Sequence, residues 1–139
     1  MYVMNEATIE LPANWRDQSI NVISSNAPMQ QGMTLTVTRD DLPFGMSFNE
    51  YLEDQVREVG KLLTEYKLLG RQQVMLDGIA AAEIECTWLS KEAAMHQIIY
   101  MLPLPSGRAM VVTASMPGRM TESQQQEIRR LVQTIRFRR

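Results

Sequence analysis

The sequence predicts an α+β domain: a mostly antiparallel sheet of about six to seven strands packed with two main helices. Three observations carry that expectation. A long amphipathic helical pattern opens after a capping signal at Ser47 and separates two sets of strand-like segments. Met33, Leu35 and Val37 alternate with Thr34, Thr36 and Thr38, the clearest period-2 signal in the chain. Asp77-Gly78 joins two strand-like runs through a turn that needs positive φ, and strands joined by tight turns lie antiparallel. With 139 residues the chain can bury most of its apolar surface as one domain, without metals or cross-links. No composition shift or internal repeat marks a boundary, so residues 1–139 read as a single unit.

In chain order, residues 8–11 read as a short strand ended by Pro12, with Ala13-Asn14-Trp15 as the turn after it. Residues 18–24 alternate, Ile20 and Val22 against Ser19, Asn21 and Ile23, as a half-buried strand does. Residues 26–32 form a polar connection containing Pro and Gly, and residues 40–45 a loop after the threonine strand. Ser47 and Glu50 then make a capping box, flanked by Met46 and Tyr51 as a hydrophobic staple. Leu52, Val56, Val59, Leu63 and Tyr66 follow on one helical face, with Gly70 as the expected C′ residue. Glu53 with Arg57 and Lys61 with Glu65 are spaced as i,i+4 ion pairs on another face. Gln55 sits at the edge of the apolar stripe, where a buried amide needs partners.

Residues 71–76 and 79–89 are strands around Asp77-Gly78, and Ala80, Ala81 and Ala82 leave room for another element to approach. Residues 94–102 and 109–115 form a second hairpin across a Pro- and Gly-containing turn. Pro117-Gly118 breaks the last strand. Thr121 and Gln124 are a second capping box, and a helix runs to about Gln133 with Ile128, Leu131, Val132 and Ile135 on one side.

A formal charge of -2 gives no general pull toward nucleic acid or anionic lipid. The local exception, Arg129, Arg130, Arg136, Arg138 and Arg139, reads as cations favoured at a helix C-terminus. The single cysteine, Cys86, excludes an intramolecular disulfide and fits a reducing compartment. The N-terminus has neither a basic n-region nor an apolar h-region, and no apolar run reaches the length of a membrane span. The expectation is a soluble cytoplasmic protein without direct membrane insertion. Eleven methionines stand out; thioethers fill irregular cores and also line surfaces that adapt to apolar partners.

Chemistry-bearing patterns are sparse. His96 and Cys86 fall on neighbouring predicted strands, but no helix N-terminus or other feature would lower the thiol pKa. Asp40-Asp41 and Glu83/Glu85 read as solvated carboxylate pairs. There is no Gly-rich phosphate loop, nucleophile elbow or metal-ligand spacing. The residues describe a binding domain rather than an enzyme, with no cofactor or metal, and they do not name its ligand.

The run Leu11-Pro12-Ala13-Asn14-Trp15-Arg16-Asp17-Gln18-Ser19-Ile20-Asn21-Val22, followed by the threonine strand and the capped helix with Gln55, resembles the Eag family of type VI secretion chaperones. That family is part of the wider DcrB-like group with a PsbP-like fold. The resemblance covers essentially the whole chain, and its specific part runs from Trp15 to Asn21. It implies a cytoplasmic homodimer that binds the N-terminal transmembrane segments of a PAAR-containing, often Rhs-repeat, toxin. The chaperone would keep those segments soluble until the toxin is loaded onto the VgrG spike, which it meets only through the effector. Carried over residue by residue, the groove aliphatics fall on Ile20, Val22, Val37, Val59 and Leu63, and a groove glutamine on Gln55. A second groove glutamine corresponds to Gln97, with Met95 and Ile99 on its face; the other face, His96, Ile98 and Tyr100, is the alternative. The competing readings are a small hydrophobic ligand- or lipid-binding protein of the same fold and a structural adaptor with no groove.

Overall fold

The computed structural model describes residues 2–3, 6–14, 19–25 and 32–138. Trp15, Arg16, Asp17 and Gln18 of the motif, residues 26–31 of the connection, and Arg139 lie outside the described residues. The elements are β1 (Tyr2–Val3), β2 (Thr8–Ile9), β3 (Asn21–Ser24), β4 (Thr34–Asp41), α1 (Phe48–Leu62), β5 (Lys67–Leu76), β6 (Ile79–Leu89), β7 (Ala94–Leu104), β8 (Arg108–Pro117) and α2 (Glu122–Gln133). β1 and β2 pair as a separate ribbon, so the strand expected at residues 8–11 shortens to two residues and stays out of the main sheet. The other six strands form one antiparallel sheet in the order β3-β4-β8-β7-β6-β5.

The helices lie on opposite faces of this sheet. Side chains alternate along each strand, so β7 feeds both layers: Ile98, Tyr100 and Leu102 join the α2-side core, Ile99 and Met101 the α1-side core. The α2-side core also takes Leu76, Val112 and Ala114 from the sheet and Ile128 and Val132 from the helix. Leu52 with Phe48 and Val56 packs on Ala82, Ile84, Cys86 and Met101 on the other face. Burying each large aliphatic side chain contributes about 1.5–3 kcal/mol, which is what fixes both helices.

Both capping boxes form as the sequence predicts. Ser47 Oγ accepts from Glu50 N–H at 3.1 Å while Glu50 Oε1 accepts from Ser47 N–H at 3.2 Å, and Thr121 with Gln124 repeats the arrangement. The Asp77-Gly78 hairpin also forms, with φ of 49° and 84° at its two central residues.

Three expectations are corrected. α1 ends at Leu62 rather than near Gly70, because Leu63 turns extended and the Thr64 carbonyl is taken by Leu89 N–H at 2.8 Å. Lys67 to Gly70 then pair with β6, and Tyr66 reaches the α1-side core from extended chain rather than from a helix. Asp40 and Asp41 belong to β4, since β8 continues opposite them with Ala109 and Arg108. The ion pairs on α1 also differ: Arg57 meets Asp54, Lys61 meets Glu58, and Glu53 reaches across to Arg71 on β5.

Candidate functional site

The register of the sheet decides which side chains share a face. On the α1 side, Val22, Thr36, Thr113 and Ile99 line up across β3, β4, β8 and β7. The next row is Ser24, Thr34, Ser115 and Gln97. α1 covers the part of this face built by β6 and β7. Over β3, β4 and β8 the face carries hydroxyls beside Val22, which is 65% exposed. Gln97 Nε2 donates to Ser115 Oγ at 3.3 Å, which ties the amide to the hydroxyl row. Alongside, α1 offers Gln55 and Val59, half-buried and one turn apart, and Leu63 follows as its C-cap residue.

At the C-terminal end of α1, Leu63 and Trp88 line a pocket of about 350 Å³. Met95 stands opposite Trp88 in the register. The Trp88 indole Nε1 is buried there without a hydrogen-bond partner among the described residues.

The structure therefore brings Val22, Met95, Gln97 and Ile99 to the same side as α1 with its Gln55, Val59 and Leu63. Ile20 is 61% exposed one residue ahead of β3. Val37 does not join them. It stands opposite Asn21 and Val112, and it packs against the α2-side core. Thr36 holds the α1-side position instead. His96, Ile98 and Tyr100 also lie on the α2 side, so of the two faces left open in the sequence it is Met95, Gln97 and Ile99 that look toward α1. The hydroxyls of Thr34, Thr36, Thr113 and Ser115 were missed as site residues, although the threonine alternation in β4 already carried the signal. In a strand whose aliphatic face is buried under a helix, the threonines form the other face.

On the α2 side, Glu83 and Glu85 are not solvated. Glu83 is 5% exposed and accepts from Tyr100 OH at 2.6 Å, Gln72 Nε2 at 2.8 Å and Arg129 Nε at 3.2 Å. Burial pushes its carboxyl up, but the three donors and the Arg129 charge outweigh it and hold the pKa below the ordinary value. Glu85 accepts from Arg129 Nη2 at 3.1 Å and lies 2.8 Å from His96 Nε2. His96 Nδ1 accepts from Met120 N–H at 2.8 Å, so the ring proton sits on Nε2 and points at Glu85. Arg129, read from sequence as a helix-end cation, is the centre of this network and ties α2 to the sheet.

Cys86 stands opposite Gln97, and His96 opposite Thr87, so the thiol and the imidazole lie on opposite faces of the sheet. Burial pushes the Cys86 thiol up to about 11. Among the described residues no group of His, Cys, Asp and Glu is placed to hold a metal ion, and no helix is long and apolar enough to cross a membrane.

Known proteins extend this picture. Residues 6–134 match the DcrB family. A protein of Pseudomonas aeruginosa named Effector EagT6 is 29% identical over 90 residues, 63% of this chain and 62% of that protein, so the match spans under two thirds of the relative's length. Among solved structures, the Pseudomonas aeruginosa protein of unknown function PA94 superposes with a TM-score of 0.81 at 22% identity, covering 99% of this chain and 96% of that one. The cyanobacterial PsbP protein of Synechocystis superposes with a TM-score of 0.50 at 11% identity, covering 83% and 77%. At such identities these two likenesses speak for the fold, which is PsbP-like. With a family match that takes in nearly all of the described sheet and both helices, the chain belongs to the DcrB family.

Proposed function

We propose that this protein is an effector chaperone of type VI secretion, which takes the N-terminal membrane-spanning segments of a PAAR or Rhs effector against the α1-side face. The single observation that carries the reading is that face: exposed aliphatics beside a row of hydroxyls, with a glutamine on the sheet and another on the neighbouring helix. The relative named Effector EagT6 supports the effector association.

A spanning helix of about 20 apolar residues exposes on the order of 2,000 Å², so leaving it in water costs tens of kcal/mol at about 25 cal/mol per Å². A chaperone must replace lipid with protein. Membrane helices pack through small residues and through Ser, Thr, Asn and Gln side chains that bond across the interface. Thr36, Thr113, Ser115 and Gln97 offer that chemistry on a flat floor, and Gln55 offers it from the wall. Val22, Ile20, Val59, Leu63 and Met95 supply the apolar contact, and Ile99 backs them from the α1-side core. In this reading Val37 supports the floor from beneath. The protein acts in the cytoplasm as a homodimer and reaches the VgrG spike through its effector.

The test is co-expression with the transmembrane-containing fragment of the effector encoded beside it, purified without detergent and weighed intact. The expected result is a soluble complex containing two copies of this chain. Aggregation of the fragment while this protein purifies alone would remove the reading.

A further inference from the structure

A second cavity, of about 470 Å³, lies on the opposite side of the sheet, between the α2-side face of β3, β4 and β8 and the segment that follows α2. Ile23 and Val37 are in its floor, Leu131 and Phe137 in its wall, and Arg136 and Arg138 complete the lining. Its apolar edge is open: Ile23 is 56% and Leu131 47% exposed. The wall is nevertheless fixed. Phe137 N–H donates to Asp77 Oδ2 at 2.9 Å, and Arg136 Nη1 donates to the carbonyls of Gln133 and Ile135 at 3.0 and 2.7 Å.

No acidic residue lines the cavity, and among the described residues neither arginine has a carboxylate partner. We propose that this cavity binds a single-chain fatty acid, its alkyl chain along Ile23, Val37 and Leu131 and its carboxylate on Arg136 and Arg138. Charge complementarity chooses the head group, since guanidinium donors take a carboxylate in a two-pronged fork that a neutral head group does not offer. Volume chooses the size. A cavity of this kind suits a small molecule. It lies on the opposite face of the sheet from Val22 and Gln97, so this site and the one assigned to the α1 side stand or fall separately.

The probe is decanoate below its micelle concentration, titrated into the full chain by calorimetry and followed by amide and methyl shifts. The expected result is saturable one-to-one binding with shifts at Val37, Leu131 and Phe137. Decan-1-ol and the exposed double variant Arg136→Gln/Arg138→Gln should each bind at least tenfold more weakly. Equal binding of the alcohol, absence of saturation, or shifts at Val22 and Gln97 instead would each overturn the assignment. So would sedimentation in which the chain self-associates, decanoate does not displace the partner copy, and Leu131→Asp abolishes the association, because a second copy would then be what covers the cavity.

Discussion

Glu83 is a carboxylate whose surroundings could not be read from its neighbours in sequence. It sits on β6 with Glu85 two residues on, a spacing that looks solvated, and what buries it is Arg129 arriving from the far end of the chain. Because its folded pKa lies below the ordinary 4.5, its stabilisation is complete above that pH and is lost as pH falls through the lower folded value. Glu83→Gln should therefore cost about 1.5–3 kcal/mol at neutral pH, the range for hydrogen bonds to a charged group. The gap between variant and parent in denaturant midpoint should close below pH 4.5. A gap that stays constant from neutral pH down to acid would mean that the network uses the shape of the side chain and not its charge. Gln97 is the corresponding residue on the other face. Its hydrogen bond to Ser115 is long and joins two half-buried side chains, so Gln97→Ala should lower stability by no more than about 0.5–1.5 kcal/mol. It should weaken capture of an apolar segment by about 1–3 kcal/mol, measured by titration with the effector fragment. An unchanged affinity would make Gln97 scaffold.

The elements divide by how local their causes are. Both helix starts were legible, because a capping box involves only residues three apart. Ser47→Ala and Thr121→Ala should each cost about 1 kcal/mol in denaturant unfolding, and Ser47→Ala should leave segment affinity per folded molecule unaltered. Loss of affinity beyond loss of fold would mean that the cap also positions Gln55. The end of α1 was not legible. The stripe Val59, Leu63, Tyr66 continues the helical spacing, yet the chain leaves the helix at Leu63 because β6 offers pairing partners to Lys67, Leu68 and Gly70. A tertiary competitor overrides a local pattern there, and the pattern survives only because Tyr66 happens to reach the same core. The same holds at Asp40-Asp41, which has no strand propensity and is drawn into β4 by the length of β8.

At the scale of the molecule, antiparallel hairpins and two capped helices made the fold class readable, whereas the placement of β4 beside β8 joins residues 67 to 81 positions apart and left no local trace. The site followed the same division. The helix residues Gln55, Val59 and Leu63 were legible from one stripe, but assigning β4 required knowing which face α2 would bury, and Val37 was placed one residue away from the Thr36 position that the register gives. A slip of one residue on a strand moves a side chain to the other face of the sheet. That rule gives a sharp test of the two-faced architecture at adjacent positions. Val22 and Ile23 are both more than half exposed on the edge strand β3, so neither Val22→Asp nor Ile23→Asp should disturb the core or shift the unfolding midpoint by more than about 0.5 kcal/mol. Val22 aligns with Thr36 and Thr113 toward α1, and Ile23 with Leu35 and Ala114 toward α2. Val22→Asp should therefore abolish detergent-free recovery of the effector segment while leaving decanoate binding intact, and Ile23→Asp should do the reverse. Loss of segment capture in both variants would show that the edge strand as a whole, and not the α1-side face, meets the client.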